Sequence, residues 1–235
     1  WAPCWSILQN EPSNQGPDAR DLDFKDDWRD FIRSSRAALL SGKSPAQQEE
    51  VFESTYNDAA RRFTLATLNE AKRLRPNLKW GFYCFPPRSY FDYLSPAGRA
   101  AWQARTRSQL QWLYDAQDVM MPDVYALYYT VAGRAPNPGA QEDDLTSFTT
   151  YVRNNVQEAI DLSQGKPVIP WISLRYHENC RAYYGQYLND TNLDTYFAIL
   201  RDMNVQGVAI WTTIGSDAGL ADIQRFVNDR LVSRI

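Results

Sequence analysis

The residues of this chain best suited to chemistry are aromatic side chains at the ends of short apolar segments. Tyr83, Tyr125 and Tyr176 come at or just beyond the ends of three such segments, and Trp211 ends a fourth. Aromatic rings of this kind stack on the apolar faces of sugars, while polar groups bond the sugar hydroxyls. The pattern therefore indicates a site for a carbohydrate.

The apolar segments alternate with stretches that have helical spacing or helix start and stop signals. We predict helices over Asp26–Leu40, Pro45–Arg75, Pro96–Ala116, Thr146–Ser163, Asn192–Met203 and Asp217–Val232. We predict strands over Lys79–Phe85, Asp118–Pro122, Pro167–Ile172 and Gly207–Trp211. Gly133–Asp144 is rich in Gly, Pro and Asp and predicts a loop.

The predicted strands are continuously hydrophobic rather than alternating, which is typical of a parallel sheet buried on both faces. Strands that alternate with helices in this way indicate βα units, and hence the α/β class. In βα barrels the carboxyl ends of the strands face the active site. We therefore expect the strand-end aromatic residues to meet at one rim of the sheet.

Composition excludes several classes of site. The formal net charge of −3 gives no dominant basic field for nucleic acid. The glycines form neither GxGxxG nor a P-loop, so no nucleotide cofactor is expected. His177 is the only histidine and no two cysteines have metal-ligand spacing, so no metal is expected. No stretch is apolar enough to span a bilayer.

The organisation of the chain is open at this stage. Its 235 residues fit one large domain or two small ones. Cys4, Cys84 and Cys180 hold one disulfide or are all free thiols. The chain opens on Trp1 without an initiator methionine, so we expect it to be processed or partial.

Several ordered motifs carry a resemblance to a known family. Arg75-Pro76 precedes WGFYCFP, and DYLSP, MMPDVY, YVRNNVQEAIDLS, PVIPWI and GVAIW follow in that order. This series resembles animal hyaluronidases, glycoside hydrolase family 56, over about residues 45–235. The opening Trp1-Ala2-Pro3 is similar to the residues just past that family's catalytic Asp-x-Glu motif.

The resemblance implies a (β/α) TIM-like barrel that is incomplete at its N-terminus. Residues 1–235 would then form one partial catalytic domain, with the early strands and the catalytic Asp and Glu upstream of Trp1. The implied activity is that of an endo-glycosidase of hyaluronan or chondroitin. The implied mechanism is substrate-assisted, because the acetamido group of an N-acetylhexosamine attacks its own anomeric carbon, unlike the scheme in which an enzyme carboxylate is the nucleophile.

The resemblance also implies roles for particular residues. Tyr125 matches the tyrosine that holds the acetamido group, and Tyr83 matches the tyrosine beside the scissile bond. Trp211 matches the tryptophan that floors the N-acetyl pocket, and Tyr176 is a looser match to a groove tyrosine. Asp123 stands where the family often has serine, and we expect it to bind substrate too.

One motif departs from the family. Pro87, Arg88 and Ser89 replace the family's Asp-Cys-Tyr, so its groove Asp and Tyr are absent, and Tyr90 or Arg88 is the candidate substitute. This loss leaves a second hypothesis, a non-catalytic glycan-binding relative, and an unrelated barrel enzyme is a third. Intact Asp-x-Glu before Trp1 would favour the enzyme.

Two further expectations rest on the resemblance. The protein would be secreted or lysosomal, and its partners would be a glycosaminoglycan and the missing N-terminal segment. Four strands alone would leave an open sheet edge.

Overall fold

A computed structural model describes residues 24–87, 95–137, 139, 141–177, 180–212 and 217–234. The chain divides into two compact units. The described part of the first unit consists of residues 24–78 and 107–116, and that of the second consists of residues 79–87, 95–106 and 117–234 with the gaps above.

The first unit contains two helices, α1 (Phe24–Ser35) and α2 (Pro45–Leu74), and the final part of α3 (Pro96–Ala116). α2 begins where the sequence predicts, because the Ser44 hydroxyl accepts a hydrogen bond from Gln47 N and the Gln47 side chain accepts one from Ser44 N. Ile32 of α1 is buried together with Phe52 and Tyr56 of α2.

The predicted helix over Asp26–Leu40 is wrong in its last third. α1 ends at Ser35, and Ala37–Leu40 forms a separate 3-10 turn. The Ser34 hydroxyl donates to the carbonyl oxygens of Asp30 and Phe31. A serine that bonds the preceding turn in this way competes with regular helix and favours its end.

The second unit contains the remaining elements. Its helices are the first part of α3, then α4 (Leu145–Ser163), α5 (Asp190–Asp202) and α6 (Asp217–Phe226). Its strands are β1 (Tyr129–Val131), β2 (Glu142–Asp144), β3 (Trp171–Ser173) and β4 (Ala209–Trp211). Asp144 caps α4 by accepting from Ser147 N, and Asn189 caps α5 by accepting from Asn192 N. A π turn (Val227–Leu231) and a 3-10 turn (Val232–Arg234) follow α6, where we predicted regular helix to Val232.

Extended segments of the second unit lie side by side in chain order. Parallel bridges join Met120 to Val168 and Asp123 to Trp171, and β3 pairs with β4 in parallel. The α/β class is therefore confirmed. The predicted strands are shortened because Pro122, Pro167 and Pro170 have no N–H. All three still accept backbone hydrogen bonds of 2.8–2.9 Å from the neighbouring segment.

The predicted strand over Lys79–Phe85 does not form as a strand. The segment lies beside the next one, with Asp118 N donating to Trp80 O at 2.8 Å and Cys84 N donating to Met121 O at 3.0 Å. Cys84 has a φ of 66°, in the left-handed region. The chain therefore turns at Tyr83–Cys84, and only an antiparallel bridge between Phe85 and Met121 remains.

The predicted loop over Gly133–Asp144 is wrong at its end, where β2 pairs in parallel with β1. The Glu142 carboxylate accepts both ends of the Arg134 guanidinium, the backbone N–H of Asn137 and the hydroxyl of Tyr183. These contacts hold three charged residues in a strand that their side chains do not predict.

The core of the second unit lies where α4 and α5 cover the central segments. Its largest fully buried side chains include Tyr151, Tyr196, Phe148, Ile172 and Leu174. Cys84 and Cys180 are free thiols. Among the described residues, no helix combines the length and apolar character that crossing a membrane requires.

Gly81 makes a close approach that can be tested. A Cβ at this position would lie 2.3 Å from the carbonyl oxygen of Val119, whereas one at Gly207 would have no described atom within 4 Å. We expect Gly81→Ala to lower the free energy of unfolding by about 1–3 kcal/mol, because a backbone atom must move. Urea unfolding with Gly207→Ala as the matched control checks this. Equal effects of the two variants would contradict the close pairing of these segments.

Two adjacent carboxyl groups on β2 have pKa values that are shifted in opposite directions. The Arg134 guanidinium, followed by the Asn137 N–H, lowers the pKa of Glu142 from 4.5 to about 2. Burial raises the pKa of Asp143 from 3.8 to about 6. Its Oδ2 atom is buried, and no described residue donates a hydrogen bond to it.

The two shifts predict opposite pH effects on stability. The lowered pKa of Glu142 stabilises the folded state above pH 4.5, and this stabilisation is lost as the pH falls toward 2. Glu142→Gln should therefore be destabilising at pH 7 and less so below pH 4.5. The raised pKa of Asp143 means that its ionised form destabilises the folded state above pH 3.8. Asp143→Asn should therefore be stabilising at pH 7 and nearly neutral below pH 3.8. Urea unfolding from pH 7 to pH 3 measures both. A change in the free energy of unfolding with the same sign for both variants at pH 7 would contradict the opposite pKa shifts.

Candidate functional site

Five aromatic side chains of the second unit line one cavity of about 420 Å³. They are Tyr83, Tyr125, Trp171, His177 and Trp211. Tyr83 is 44% exposed and Trp211 is 47% exposed, which is unusual for rings of this size. The cavity is therefore an open pocket with a largely apolar wall.

Four of the lining residues are placed by neighbouring extended segments. Tyr83 lies near the end of the segment that bonds residues 118–121, and Tyr125 follows residues 118–122 in the chain. Trp211 ends β4. Trp171 begins β3. Because parallel segments end on the same side, their terminal side chains converge. The structure thus brings together Tyr83, Tyr125 and Trp211, as the sequence predicts.

The rings form a connected wall around Tyr125. Its ring centroid lies 6.0 Å from that of Trp211 with an interplanar angle of 23°, and 6.0 Å from that of Tyr83. Tyr83 also meets Trp171 edge to face, at 5.3 Å and 73°. His177 lies 6.5 Å from Tyr125. Trp211, which is 47% exposed, presents a flat surface suited to a sugar ring or its acetamido group, whereas the Tyr125 ring behind it is 6% exposed.

Asp123 lies beneath this wall and is 1% exposed. Its Oδ2 atom accepts a hydrogen bond from the Tyr83 hydroxyl at 3.0 Å, and its Oδ1 atom accepts one from Tyr125 N at 3.0 Å. One carboxylate therefore fixes both tyrosines. The predicted substrate-binding residue Asp123 is placed where it touches the two candidate catalytic tyrosines, rather than on the open surface of the cavity.

The tyrosine hydroxyl beside Asp123 is kept protonated. Partial burial, followed by the negative charge of Asp123, raises the pKa of Tyr83 well above its ordinary value. Since its proton points to Asp123, the oxygen of Tyr83 can accept a hydrogen bond from a ligand hydroxyl.

The backbone around Tyr125 is held by two further tyrosines. The Tyr151 hydroxyl donates to the carbonyl oxygen of Tyr125 at 3.2 Å, and the Tyr196 hydroxyl donates to that of Val124. Tyr151 and Tyr196 belong to α4 and α5 and are fully buried. The helices that form the core therefore also fix the position of the Tyr125 side chain.

Tyr176 is placed beside a second, smaller cavity of about 240 Å³. Its ring is buried, and its hydroxyl donates to the Asn192 side chain at 2.7 Å and accepts from Asn189 N at 3.2 Å. The structure therefore directs the hydroxyl of this predicted groove residue into α5. Tyr90, the other predicted groove residue, lies outside the described residues.

Sequence reasoning missed several residues that line these cavities, among them Trp171, Arg175 and His177. His177 is half-buried and lines both cavities. The available signal was strand alternation, because residues on either side of a buried Tyr176 point to the opposite face. Among the described residues, no group of three or more His, Cys, Asp or Glu side chains could hold a metal ion.

Comparison with known proteins gives one family. The model of the hyaluronidase family, glycoside hydrolase family 56, matches residues 19–233. Hyaluronidase-1 of Homo sapiens is 29% identical over 165 residues, which are 65% of this chain and 35% of the human protein. Hyaluronidase of Apis mellifera is 24% identical over 251 residues, covering 96% of this chain and 60% of the bee protein.

A third relative is named for a different polymer. Chondroitin hydrolase of Caenorhabditis elegans is 26% identical over 194 residues, which are 80% of this chain and 40% of the nematode protein. The chain thus spans between about a third and three fifths of the length of these relatives.

Solved structures share the fold. The monoclinic crystal structure of bee venom hyaluronidase has a TM-score of 0.74 and 18% identity, and covers 100% of this chain and 68% of the bee chain. The same bee protein in complex with a hyaluronic acid tetramer has a TM-score of 0.72 and 19% identity, with 100% and 66% covered.

Proposed function

The chain belongs to the hyaluronidase family, and from that premise we propose that its aromatic cavity binds an N-acetylhexosamine of a glycosaminoglycan for hydrolysis. The observation that carries this proposal is the meeting of Tyr83, Tyr125 and Trp211 in one open cavity of about 420 Å³. Each comes from a separate extended segment, so the cavity depends on the fold rather than on local sequence.

The proposed reaction is substrate-assisted. The acetamido carbonyl oxygen attacks the anomeric carbon of its own sugar, while an acid protonates the departing glycosidic oxygen. The cyclic intermediate is then opened by water, with the conjugate base of that acid accepting the proton of the water. We propose that the acid is the Glu, and the residue that steadies the intermediate the Asp, of the Asp-x-Glu motif that the resemblance places before Trp1.

Tyr125 is the candidate for holding the acetamido group. Its ring lies between Tyr83 and Trp211, and its backbone is fixed by Asp123 and Tyr151. A group held this rigidly can keep the attacking oxygen close to the anomeric carbon, which removes much of the entropic cost of the step. The exposed face of Trp211 supplies an apolar floor for the acetamido methyl group.

Tyr83 and Asp123 have a supporting role in this proposal. The Tyr83 hydroxyl donates its hydrogen bond to Asp123, so that the Tyr83 oxygen presents a lone pair to a hydroxyl of the sugar. Tyr176, and Tyr90 in the part that the structure does not describe, are proposed to contact sugars further along the groove.

Hyaluronan is the proposed substrate, and chondroitin is the alternative that the nematode relative suggests. We also propose that residues 1–235 form one part of a TIM-like barrel, completed by strands upstream of Trp1, and that the protein is secreted or lysosomal, as the family resemblance implies. A glycan-binding relative without catalysis is kept as an outcome of the test below.

The test compares the 235-residue chain with the longer protein that carries the upstream carboxylates. We expect reducing ends to be released from hyaluronan by the longer protein and not by the 235-residue chain. In the longer protein, Tyr125→Phe should lower kcat by about 10²-fold with a smaller change in KM, because attack loses its positioning group. Tyr183→Phe is the matched control, since its hydroxyl bonds Glu142 and its ring lines neither cavity.

Turnover by the 235-residue chain alone would refute the upstream position of the acid. Full activity of Tyr125→Phe would refute the role of Tyr125. Binding of hyaluronan without any turnover by the longer protein would replace the enzyme with the glycan-binding alternative.

A further inference from the structure

The second cavity adjoins the first, and the two have three lining residues in common. Tyr125, His177 and Trp211 line both, so a chain of sugars that fills one cavity passes directly into the other. The second cavity is therefore placed to receive the sugar next to the N-acetylhexosamine.

The two cavities differ in polarity. Among the described residues, the first is lined by aromatic side chains alone, His177 included. The second also contains Ser173, Arg175 and Tyr184, and Arg175 carries the only permanent charge among the described residues that line it. A ligand group that prefers the second cavity over the first should therefore be an anion.

The guanidinium of Arg175 is held in place on several sides. It donates to the carbonyl oxygen of Gly185 at 2.7 Å, and it lies 3.8 Å from the centroid of the Tyr187 ring. Tyr187 is itself stacked on Phe226 at 4.0 Å. The Ser173 hydroxyl accepts a hydrogen bond from Arg175 N and donates one to Arg175 O. Little side-chain entropy would be lost when such a fixed group binds a ligand.

The charge of Arg175 is only weakly neutralised. Its nearest described carboxylate, Asp222, lies 3.4 Å away with a side chain that is 44% exposed, and it also contacts Arg225 and the Tyr187 hydroxyl. Long, exposed ion pairs of this kind contribute little. Arginine has five N–H donors, and the described residues take two of those of Arg175.

We propose that Arg175 recognises the carboxylate of the uronic acid next to the bound N-acetylhexosamine and so selects charged over neutral polymers. This inference rests on the proposed function. Hyaluronan and chondroitin alternate an amino sugar with a uronic acid, whereas chitin repeats the amino sugar without a charge. A planar guanidinium binds a carboxylate with two parallel hydrogen bonds, which a neutral hydroxymethyl group cannot accept in the same way.

Calorimetric titration of the 235-residue chain with three tetrasaccharides tests the proposal. The ligands are the hyaluronan tetrasaccharide, its methyl ester and the neutral chitin tetrasaccharide. The unmodified chain should bind hyaluronan most tightly, and its affinity should fall as salt is added. Arg175→Met should weaken hyaluronan binding by about 10-fold or more and leave the two neutral ligands within about twofold.

Two variants separate recognition from folding. Arg225→Met is the matched control, because Arg225 contacts the same Asp222, is 75% exposed and does not line the cavity. It should bind all three ligands like the unmodified chain. Arg175→Lys keeps the charge without the planar fork and should give an intermediate loss for hyaluronan alone.

The outcomes are distinct. An equal loss for charged and neutral ligands in Arg175→Met would make Arg175 structural and overturn the inference, and so would no loss at all. If the unmodified chain binds hyaluronan and chitin tetrasaccharides equally well, the inference fails and the proposed function stands. If it binds neither, the proposed function fails and the inference fails with it.

Discussion

The buried carboxylate of Asp123 is the contact on which the rest of the site depends. A charge that is 1% exposed is stable only where hydrogen-bond donors replace water, and the Tyr83 hydroxyl and Tyr125 N supply them. The same two bonds fix the two tyrosines relative to each other. The electrostatic requirement of one side chain therefore helps to determine the shape of the cavity above it, and loss of Asp123 would remove the acceptor that positions both tyrosines.

The backbone places that carboxylate through parallel pairing. Asp123 bridges to Trp171, and β3 continues the pairing to β4, so that Trp171 and Trp211 reach the same rim as Tyr125. Prolines shorten the strands but still accept hydrogen bonds through their carbonyl oxygens. Buried tyrosines of α4 and α5 then bond the carbonyl oxygens of Val124 and Tyr125. The packing of the core and the geometry of the site are thus parts of one arrangement.

Sequence reasoning works here where the physical cause is local. The Ser44 capping box and helical periodicity predict α2 to within one residue of its end, and apolar runs bounded by turns predict which segments pair. It fails where the cause is distant. Nothing in Glu142–Asp144 indicates a strand until Arg134 and Tyr183 bind Glu142. Alternation about the buried Tyr176 could have indicated Arg175 and His177 as cavity residues.

Saturation-transfer NMR tests most directly the claim that the converging aromatic rings seat an acetamido group. Irradiation of the aromatic protons of the 235-residue chain should transfer most saturation to the acetamido methyl protons of a bound hyaluronan tetrasaccharide, because the Tyr125 and Trp211 rings line the cavity. Trp211→Ala should remove most of that signal. Transfer spread evenly over the sugar protons, and unchanged in Trp211→Ala, would contradict the claim.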